Sequence, residues 1–437
     1  MKDDERGKRM GLNAIGIDIG TTSICGVVID TKTGELLRSV TKDSEAFLEG
    51  SAPWEKIQSV DKIIGIAVEI LDSLISEETQ VIGVTGQMHG IVYVDNKGNH
   101  LSPLYTWQDG RGNQPFGDTT YAEYLGCSSG YGHVTDFYNR INNLVPEGAS
   151  SFCTIQDYFV MQLCKLTKAL IHTTDAASFG LYDLVKRCFT CDSNLEVVDG
   201  YRLAGSYRNI PVSVAIGDNQ ASVLSSLSSD REALINIGTG SQVSVICEKA
   251  EVSKDFEVRP YFEEKYLAVG AALCGGRAYA VLKEFYKSLL SMVTSVDDQT
   301  VYGLMSELLK QKVEPLRVDT RFEGTRADKM LRGSICEIST DNFTPAALTK
   351  GMLEGMIKEL HDMYLTMDVE ISGIVGSGNG LRKNQALVET AERLFACSMK
   401  IPNHTEEAAV GAALYGMLSA GLCKDLSDAG RLIKYID

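Results

Sequence analysis

The chain writes one short turn twice. IDIGTTS begins at Ile17 and INIGTGS at Ile235. Each follows an apolar lead-in, and each runs into a second β-type segment, ICGVVID after the first and QVSVIC after the second. Two strands joined by a Gly-Thr turn and rebuilt far along the chain point to two related halves, each opening on its own hairpin.

The flanking patterns support that reading. TKTG is a second turn and ELLRSVTK a third strand. Apolar residues at 57, 60, 63, 64, 67, 70, 71 and 74 then recur at helical spacing and form one stripe. VIGVTG follows as a buried strand. Three antiparallel strands, a crossover helix and another strand make a mixed sheet with a βαβ unit. The second half repeats the opening with ALINIGTG and SQVSVICE, then YLAVGAALCGG and a helix near residues 280–290. A helix over 347–367 carries a Met stripe whose spacing suits core packing. ISGIVGSGNG reads as strand and glycine loop, RKNQALVETAERLFACSM as helix, MKIP as a short strand and EEAAVGAALYGMLSAG as a last helix.

A length of 437 residues suits two domains. The Ser-rich stretch SSLSSDRE marks the boundary, giving an N-terminal domain over 12–226 and a C-terminal one over 232–437, with a cleft expected between them. The net charge of −16 argues against nucleic acid as the main partner. It does not exclude a metal-complexed anion held by backbone N–H groups. The charged start MKDDERGKRM does not resemble a leader, and no apolar run reaches membrane-spanning length. Eleven scattered cysteines suit reduced thiols and a cytoplasmic location. The one C-x-x-C, Cys188 to Cys191, lacks the further ligands a zinc site needs.

The glycine turns carry the chemistry. Gly20 lets the first turn bend and bring N–H groups toward an oxyanion, and Thr21 and Thr22 add hydroxyls. Asp18 can hold Mg²⁺ through water. Gly238, Thr239, Gly240 and Ser241 offer a second anion nest, so the pair suits a triphosphate with its metal. Gly376, Ser377 and Gly378 sit between a strand and a helix, where a nucleotide approaches closely. In AIGDNQAS, Asp218 either caps a helix or accepts a proton from a substrate hydroxyl, and both can hold at once. Gln87, Met88 and His89 of GQMHG, with Trp107, Asp109 and Arg111, offer an aromatic face and paired polar groups to a polyol. A loop histidine and a surface salt bridge are the structural alternatives.

DIGTT, GQMHG, W-x-D-x-R, GDNQA, NIGTGS, SGNGLRKNQ and EEAAVGAAL, in that order and over nearly the whole chain, resemble the FGGY carbohydrate kinases. The resemblance implies the two-domain actin-like ATPase (ribonuclease H-like) fold, an α/β arrangement of mixed sheets flanked by helices. It implies ATP and Mg²⁺, a small ketose as acceptor, and a monomer or homodimer. By motif, Asp218 would be the catalytic base and Asp18 the metal-associated acid. Gly20, Thr21, Thr22, Gly238, Thr239, Gly240, Ser241, Gly275 and Gly276 would surround the phosphates. Gly376, Ser377, Gly378 and Asn384 would lie on the adenosine side, and Gln87, Met88, His89, Trp107, Asp109, Arg111 and Asp218 on the sugar side. Within the family, GQMHG is shared by the xylulokinases and sedoheptulokinases, while IHTTDAASFGLYDL and the compact second half look most like the sedoheptulokinase branch, with the xylulokinases as the alternative. The late loop GSGNG departs from the commoner triple glycine. A reading of another class is a nucleotide-gated sugar sensor on the same fold, since fold alone does not fix function.

The two turns differ where one has Asp18 and the other Asn236. Only one side of a triphosphate needs a carboxylate for its metal. Asp18→Asn is therefore expected to lower turnover and shift its Mg²⁺ dependence far more than Asn236→Ser does. Steady-state rates across a Mg²⁺ titration check this, and equal effects would make the asymmetry incidental.

Overall fold

The computed structural model describes residues 11–251, 253–325 and 328–436. The charged start MKDDERGKRM, which bears on the leader reading, lies outside them.

The first unit is built on a six-stranded sheet. Its order is Leu203–Tyr207, Ile210–Gly217, Thr79–Gly86, Asn13–Ile19, Ser23–Asp30 and Leu36–Asp43. Asn13–Ile19 pairs antiparallel with Ser23–Asp30 and parallel with Thr79–Gly86, which in turn pairs parallel with Ile210–Gly217. The expected hairpin, third strand and βαβ unit are all present. The crossover helix Val60–Leu74 buries Val60, Ile63, Ala67, Ile70, Leu71 and Leu74, and Ser59 caps its N-terminus. Ile57, read as part of that stripe, lies instead in the short strand Ile57–Gln58 before the cap.

The second unit repeats the plan. Its sheet runs Glu257–Pro260, Tyr266–Ala272, Ser241–Cys247, Glu232–Ile237, Gly373–Ser377 and Met399–Lys400. Glu232–Ile237 pairs antiparallel with Ser241–Cys247 and parallel with Gly373–Ser377. This matches the hairpin and parallel neighbour of the first sheet. The helix Pro345–Leu365 buries Leu348, Met352, Met356 and Leu360, so the Met stripe is core. The segment read as one helix after the glycine loop is two, Gly378–Lys383 and Gln385–Phe395, broken at Asn384.

The compact units do not follow contiguous halves. The first runs to Ser228 and takes in Arg259–Glu264 and Glu406–Lys434, while the second holds Ser229–Val258 and Lys265–Thr405. The reason lies in the helix Glu407–Ser419, which is buried at every position from 409 to 418. A helix with no polar face must be covered all round. The first sheet gives part of that cover, at backbone range. A Cβ on Gly16 would lie 1.8 Å from the Ala409 carbonyl oxygen, and one on Gly83 would lie 1.7 Å from that of Ala412. From the helix side, a Cβ on Gly411 would lie 1.8 Å from the carbonyl oxygen of Ala221. A further short helix, Leu426–Gly430, follows the one read as last.

Gly83→Ala has no room to be absorbed and is expected to cost more than about 3 kcal/mol of stability. Gly65, in the crossover helix, has nothing within 4 Å of its added Cβ. Gly65→Ala is expected to gain about 0.5–1 kcal/mol from helix propensity. Urea-unfolding midpoints of the two variants separate these outcomes, and equal shifts would contradict the packing described.

Candidate active site

Register brings the acids together. In the first sheet Asp18 pairs across to Thr85, Ile19 to Gly86, and Gly86 to Gly217. Three parallel strands therefore end level with one another, and the residues leaving those ends are Gly20, Gln87 and Asp218. The carboxyl ends of parallel strands are where open α/β sheets bind ligands.

Asp218 is the first residue of the helix Asp218–Ser226, whose N-cap is Gly217. The capping alternative is thus corrected by one position. The carboxyl group stands in the first turn, where the helix dipole favours negative charge. Burial pushes its pKa up to about 6, while the Arg259 guanidinium and the N–H groups of Asn219 and Asp218 pull it down. Asp18 is pushed further, to about 7, first by burial and then by the neighbouring charges of Asp218 and Glu406. Its Oδ1 is buried with no hydrogen-bond partner among the described residues. Asp175, wholly buried, is also raised well above the ordinary range by burial and by Asp157 and Asp218. Three acids and Glu406 thus share one region of the first unit, with Arg259 as the opposing charge.

The turn is braced by a ring of amides. Trp107 Nε1 donates to Thr21 Oγ1 at 3.0 Å, and Thr21 Oγ1 donates to Gln87 Oε1 at 3.4 Å. Gln87 Nε2 donates to Gln58 Oε1 at 3.0 Å, and Gln58 Nε2 returns to the Thr21 carbonyl at 2.7 Å. Sequence placed Thr21 with the phosphates and Gln87 and Trp107 with the sugar. The structure joins all three in one circuit. Thr22 is exposed at the turn. Met88 packs beside Gly217, where an added Cβ would meet its Sδ at 2.8 Å. His89 holds a left-handed φ of 73°. Its Nδ1 lies 2.8 Å from the Ser178 carbonyl oxygen, to which it donates.

Asp109 and Arg111 are both buried. Arg111 Nε donates to Asp109 Oδ1 at 2.6 Å, Nη2 to Asp109 Oδ2 at 3.2 Å and Nη1 to Asn139 at 2.5 Å. The guanidinium also lies 4.1 Å from the Tyr105 ring centroid. The salt-bridge alternative is therefore present, as a buried network rather than a surface pair.

The second turn is built alike in the second unit. Gly238 N–H donates to Gly240 O at 3.0 Å, and Gly276 and Arg277 N–H groups donate to Gly238 O and Thr239 O at 3.0 and 3.1 Å. Gly275 admits no side chain, since its Cβ would lie 2.4 Å from the Gly240 carbonyl carbon. Gly378 has φ 83°, and its Cβ would lie 2.6 Å from Ile237 O. Ser377 is buried, and Asn236 Nδ2 donates to its Oγ at 2.7 Å. An aspartate at 236 has no proton to give that bond. Gly376 packs against Met399 and Ile401. Asn384 caps the helix Gln385–Phe395 through the Leu387 N–H at 3.3 Å. Thr239 is exposed and Ser241 buried.

Residues 13–117 match the N-terminal domain of the FGGY family of carbohydrate kinases, and residues 233–420 match its C-terminal domain. The chain belongs to the FGGY family. It is a carbohydrate kinase. Among curated proteins it is similar to the mouse (Mus musculus) sedoheptulokinase, 28% identical over 92% of this chain and 96% of that one. It is also similar to a Staphylococcus epidermidis xylulose kinase, 23% identical over 94% of this chain and 89% of that one. Its fold is shared with the crystal structure of xylulose kinase from Rhodospirillum rubrum, at a TM-score of 0.83 and 17% identity, over 97% of this chain and 93% of that one. The C-terminal family match ends at residue 420, so it includes the helix Glu407–Ser419 that packs in this kinase's first unit.

Sequence reasoning missed Arg259, Glu406 and Asp175. Each stood in plain text: a lone Arg in the apolar run VRPYF, the first Glu of EEAAVGAAL, and the Asp of HTTDAAS. What no pattern supplied was their nearness to Asp218 and Asp18. Among the described residues no cluster of three His, Cys, Asp or Glu side chains can hold a metal alone. All eleven cysteines are free, and Cys191 Sγ lies 3.7 Å from His133 Nε2. No helix is long and apolar enough to cross a membrane among the described residues.

Asp18 is raised from 3.8 to about 7. Folded protein then binds more protons than unfolded protein between those values, so stability falls as pH rises through them. Asp18→Asn removes the penalty. In chelator, without nucleotide, this kinase should gain about 2 kcal/mol from Asp18→Asn above pH 7, and the gain should shrink as pH falls toward 4. Thermal melts across pH read it out. A gain that grows on acidification would contradict the environment described for Asp18.

Proposed function

We propose that this enzyme transfers the terminal phosphoryl group of ATP to a terminal hydroxyl of a ketose, with Asp218 as general base. The preferred ketose is sedoheptulose, giving sedoheptulose 7-phosphate, with xylulose as the second choice. The observation that supports the reaction is the common level at which three parallel strands end, at Ile19, Gly86 and Gly217, with the charges of Asp18 and Asp218 acting on one another. The sugar choice rests on the similarity to mouse sedoheptulokinase.

Phosphoryl transfer asks little covalent work of a protein. The hydroxyl oxygen bonds to the γ-phosphorus, the bond to the β–γ bridging oxygen breaks, and the hydroxyl proton passes to Asp218. A base with a pKa of about 6 is ionised at neutral pH and still takes a proton readily. Thr22, exposed at the first glycine turn, would donate its hydroxyl to a phosphate oxygen.

The residues also fit a magnesium ion. A buried carboxylate oxygen without a partner among the described residues, on an acid whose pKa is raised by burial and then by crowding, is a place where a cation relieves charge. With no three-ligand cluster among the described residues, Asp18 would hold the ion through water, as magnesium prefers. When bound, it supplies neutralisation of phosphate charge.

Asp218→Asn should fold and bind ATP normally while kcat falls about 10²- to 10⁴-fold. A coupled ADP-release assay over pentuloses, hexuloses and heptuloses reads both reaction and sugar choice. Near-normal turnover in the Asn variant would sink the base assignment. Higher kcat/KM for xylulose than for sedoheptulose would move the substrate to the second choice.

A further inference from the structure

The short helix Thr173–Ser178 belongs to neither glycine turn, yet it grips the strand ends from which the site is built. The Gly217 N–H, one residue before Asp218, donates to Thr174 Oγ1 at 3.1 Å. The His89 N–H donates to Ser178 Oγ at 3.0 Å, and Ser178 Oγ donates to the Asp175 carbonyl at 2.7 Å. The third grip runs through Gln156, on the helix Ile155–Cys164. Its Nε2 donates to the Gly86 carbonyl, one residue before Gln87, at 3.3 Å, and to Asp175 Oδ1 at 3.1 Å. All of these residues lie in the first unit.

Gln156 and Asp175 are both wholly buried. Their bond leaves one oxygen on each, Gln156 Oε1 and Asp175 Oδ2, without a hydrogen-bond partner among the described residues. An amide oxygen and an ionised carboxylate only accept, so two such oxygens have nothing to offer one another. Left so, each costs the free energy of a buried group without its bond. One proton removes both costs. A carboxylic acid at Asp175 carries an O–H on Oδ2 that returns to Gln156 Oε1, and acid and amide are then joined by two parallel bonds. The charges around Asp175 favour that proton. Asp157, on the helix of Gln156, and Asp218 both act against a negative charge there, and Tyr415 is the third titratable group in its field. His172 is kept neutral by burial, and Asp199, which accepts from Thr173 Oγ1, is paired with Arg187.

We propose that Asp175 is a positioning residue that stands as a neutral carboxylic acid, donating its Oδ2 proton to Gln156 Oε1 and so holding the Gly86–Gln87 strand end level with Asp218. This deepens the reading of Gln87 and Asp218 as parts of the sugar site and rests on it. A neutral acid gives the clamp a donor and an acceptor without adding a negative charge to those of Asp18 and Asp218. It works through Gln156 and touches neither sugar nor nucleotide.

The test uses the full chain with MgATP and the best ketose of the panel, in wild type, Asp175→Asn and Asp175→Ala, with thermal melts of each. Asparagine keeps a donor and an acceptor in one plane and is neutral at every pH, whereas alanine removes both. In Asp175→Asn, kcat/KM for the ketose should stay within about threefold of wild type. In Asp175→Ala it should fall about 10- to 100-fold while KM for ATP is unchanged. The infrared difference spectrum of wild type minus Asp175→Asn at neutral pH reads the group directly, and it should show the C=O stretch of a protonated carboxylic acid. That spectrum and the Asn kinetics carry the test if the Ala variant fails to fold. A carboxylate band in its place, the mark of an ionised acid met by water or a cation, overturns the proposal. So does an Asn variant as damaged as the Ala variant, or one that does not fold. An Ala variant whose KM for ATP rises as much as its KM for ketose, with a lower melting temperature, shows general loosening and overturns the positioning role. Failure of the underlying reading shows separately: wild type would phosphorylate no ketose, and the positioning role would fall while the infrared band still reported the state of Asp175.

Discussion

The structure depends on a contact that side chains are absent from. The helix Glu407–Ser419 meets the first sheet through Gly16 and Gly83, and meets the helix Asp218–Ser226 through its own Gly411. Gly16 lies on the strand that ends at Asp18, and Gly83 on the strand that leads to Gln87. One helix therefore fixes three pieces of the site against one another at backbone range. Close packing of this kind transmits position well because interiors are dense and compress little. The same helix brings Glu406 at its start, whose charge helps raise the pKa of Asp18.

That placement has an electrostatic price. Asp18, Asp218 and Asp175 all lie above the ordinary carboxylate range, and burial is the first cause in each case. Arg259 offsets part of the crowding at Asp218. The polar ring of Trp107, Thr21, Gln87 and Gln58 does the opposite job of satisfying its members, and it braces the turn next to Asp18. Perturbed acids beside a braced turn are what phosphoryl transfer calls for: little movement and charge ready to be compensated.

Much of this was legible in the sequence. The duplicated turn gave two sheets of like plan because hairpin and parallel-strand patterns are local signals. Asp18 and Asp218 stood out because each ends or follows a strand at a glycine. Arg259 did not, because its importance comes from a neighbour forty residues away in sequence, at Asn219. The main run of the first unit ends at Ser228, inside the stretch read as the boundary, but the return of Glu406–Lys434 to that unit was not foreseen, for a related reason. A buried helix announces that it is covered, but its sequence does not say by which sheet. Asp109 and Arg111 read equally well as sugar ligands or as a salt bridge. Only the buried contacts with Asn139 and Tyr105 show how the pair is held. Asn236 was read as avoiding repulsion, and its hydrogen bond to Ser377 supplies a second, structural reason for the amide.

The first unit takes in Glu406–Lys434. Synthesis is vectorial, at about 5–20 residues per second, so the strands carrying Asp18 and Gln87 leave the ribosome tens of seconds before the helix that packs against them. Through that interval Gly16 and Gly83 line an uncovered apolar face. The nascent chain must carry the floor of its candidate site open to solvent until Glu407–Ser419 has been made. Its exposure to aggregation and to chaperones is thus written into the position of one helix rather than into the strength of any core.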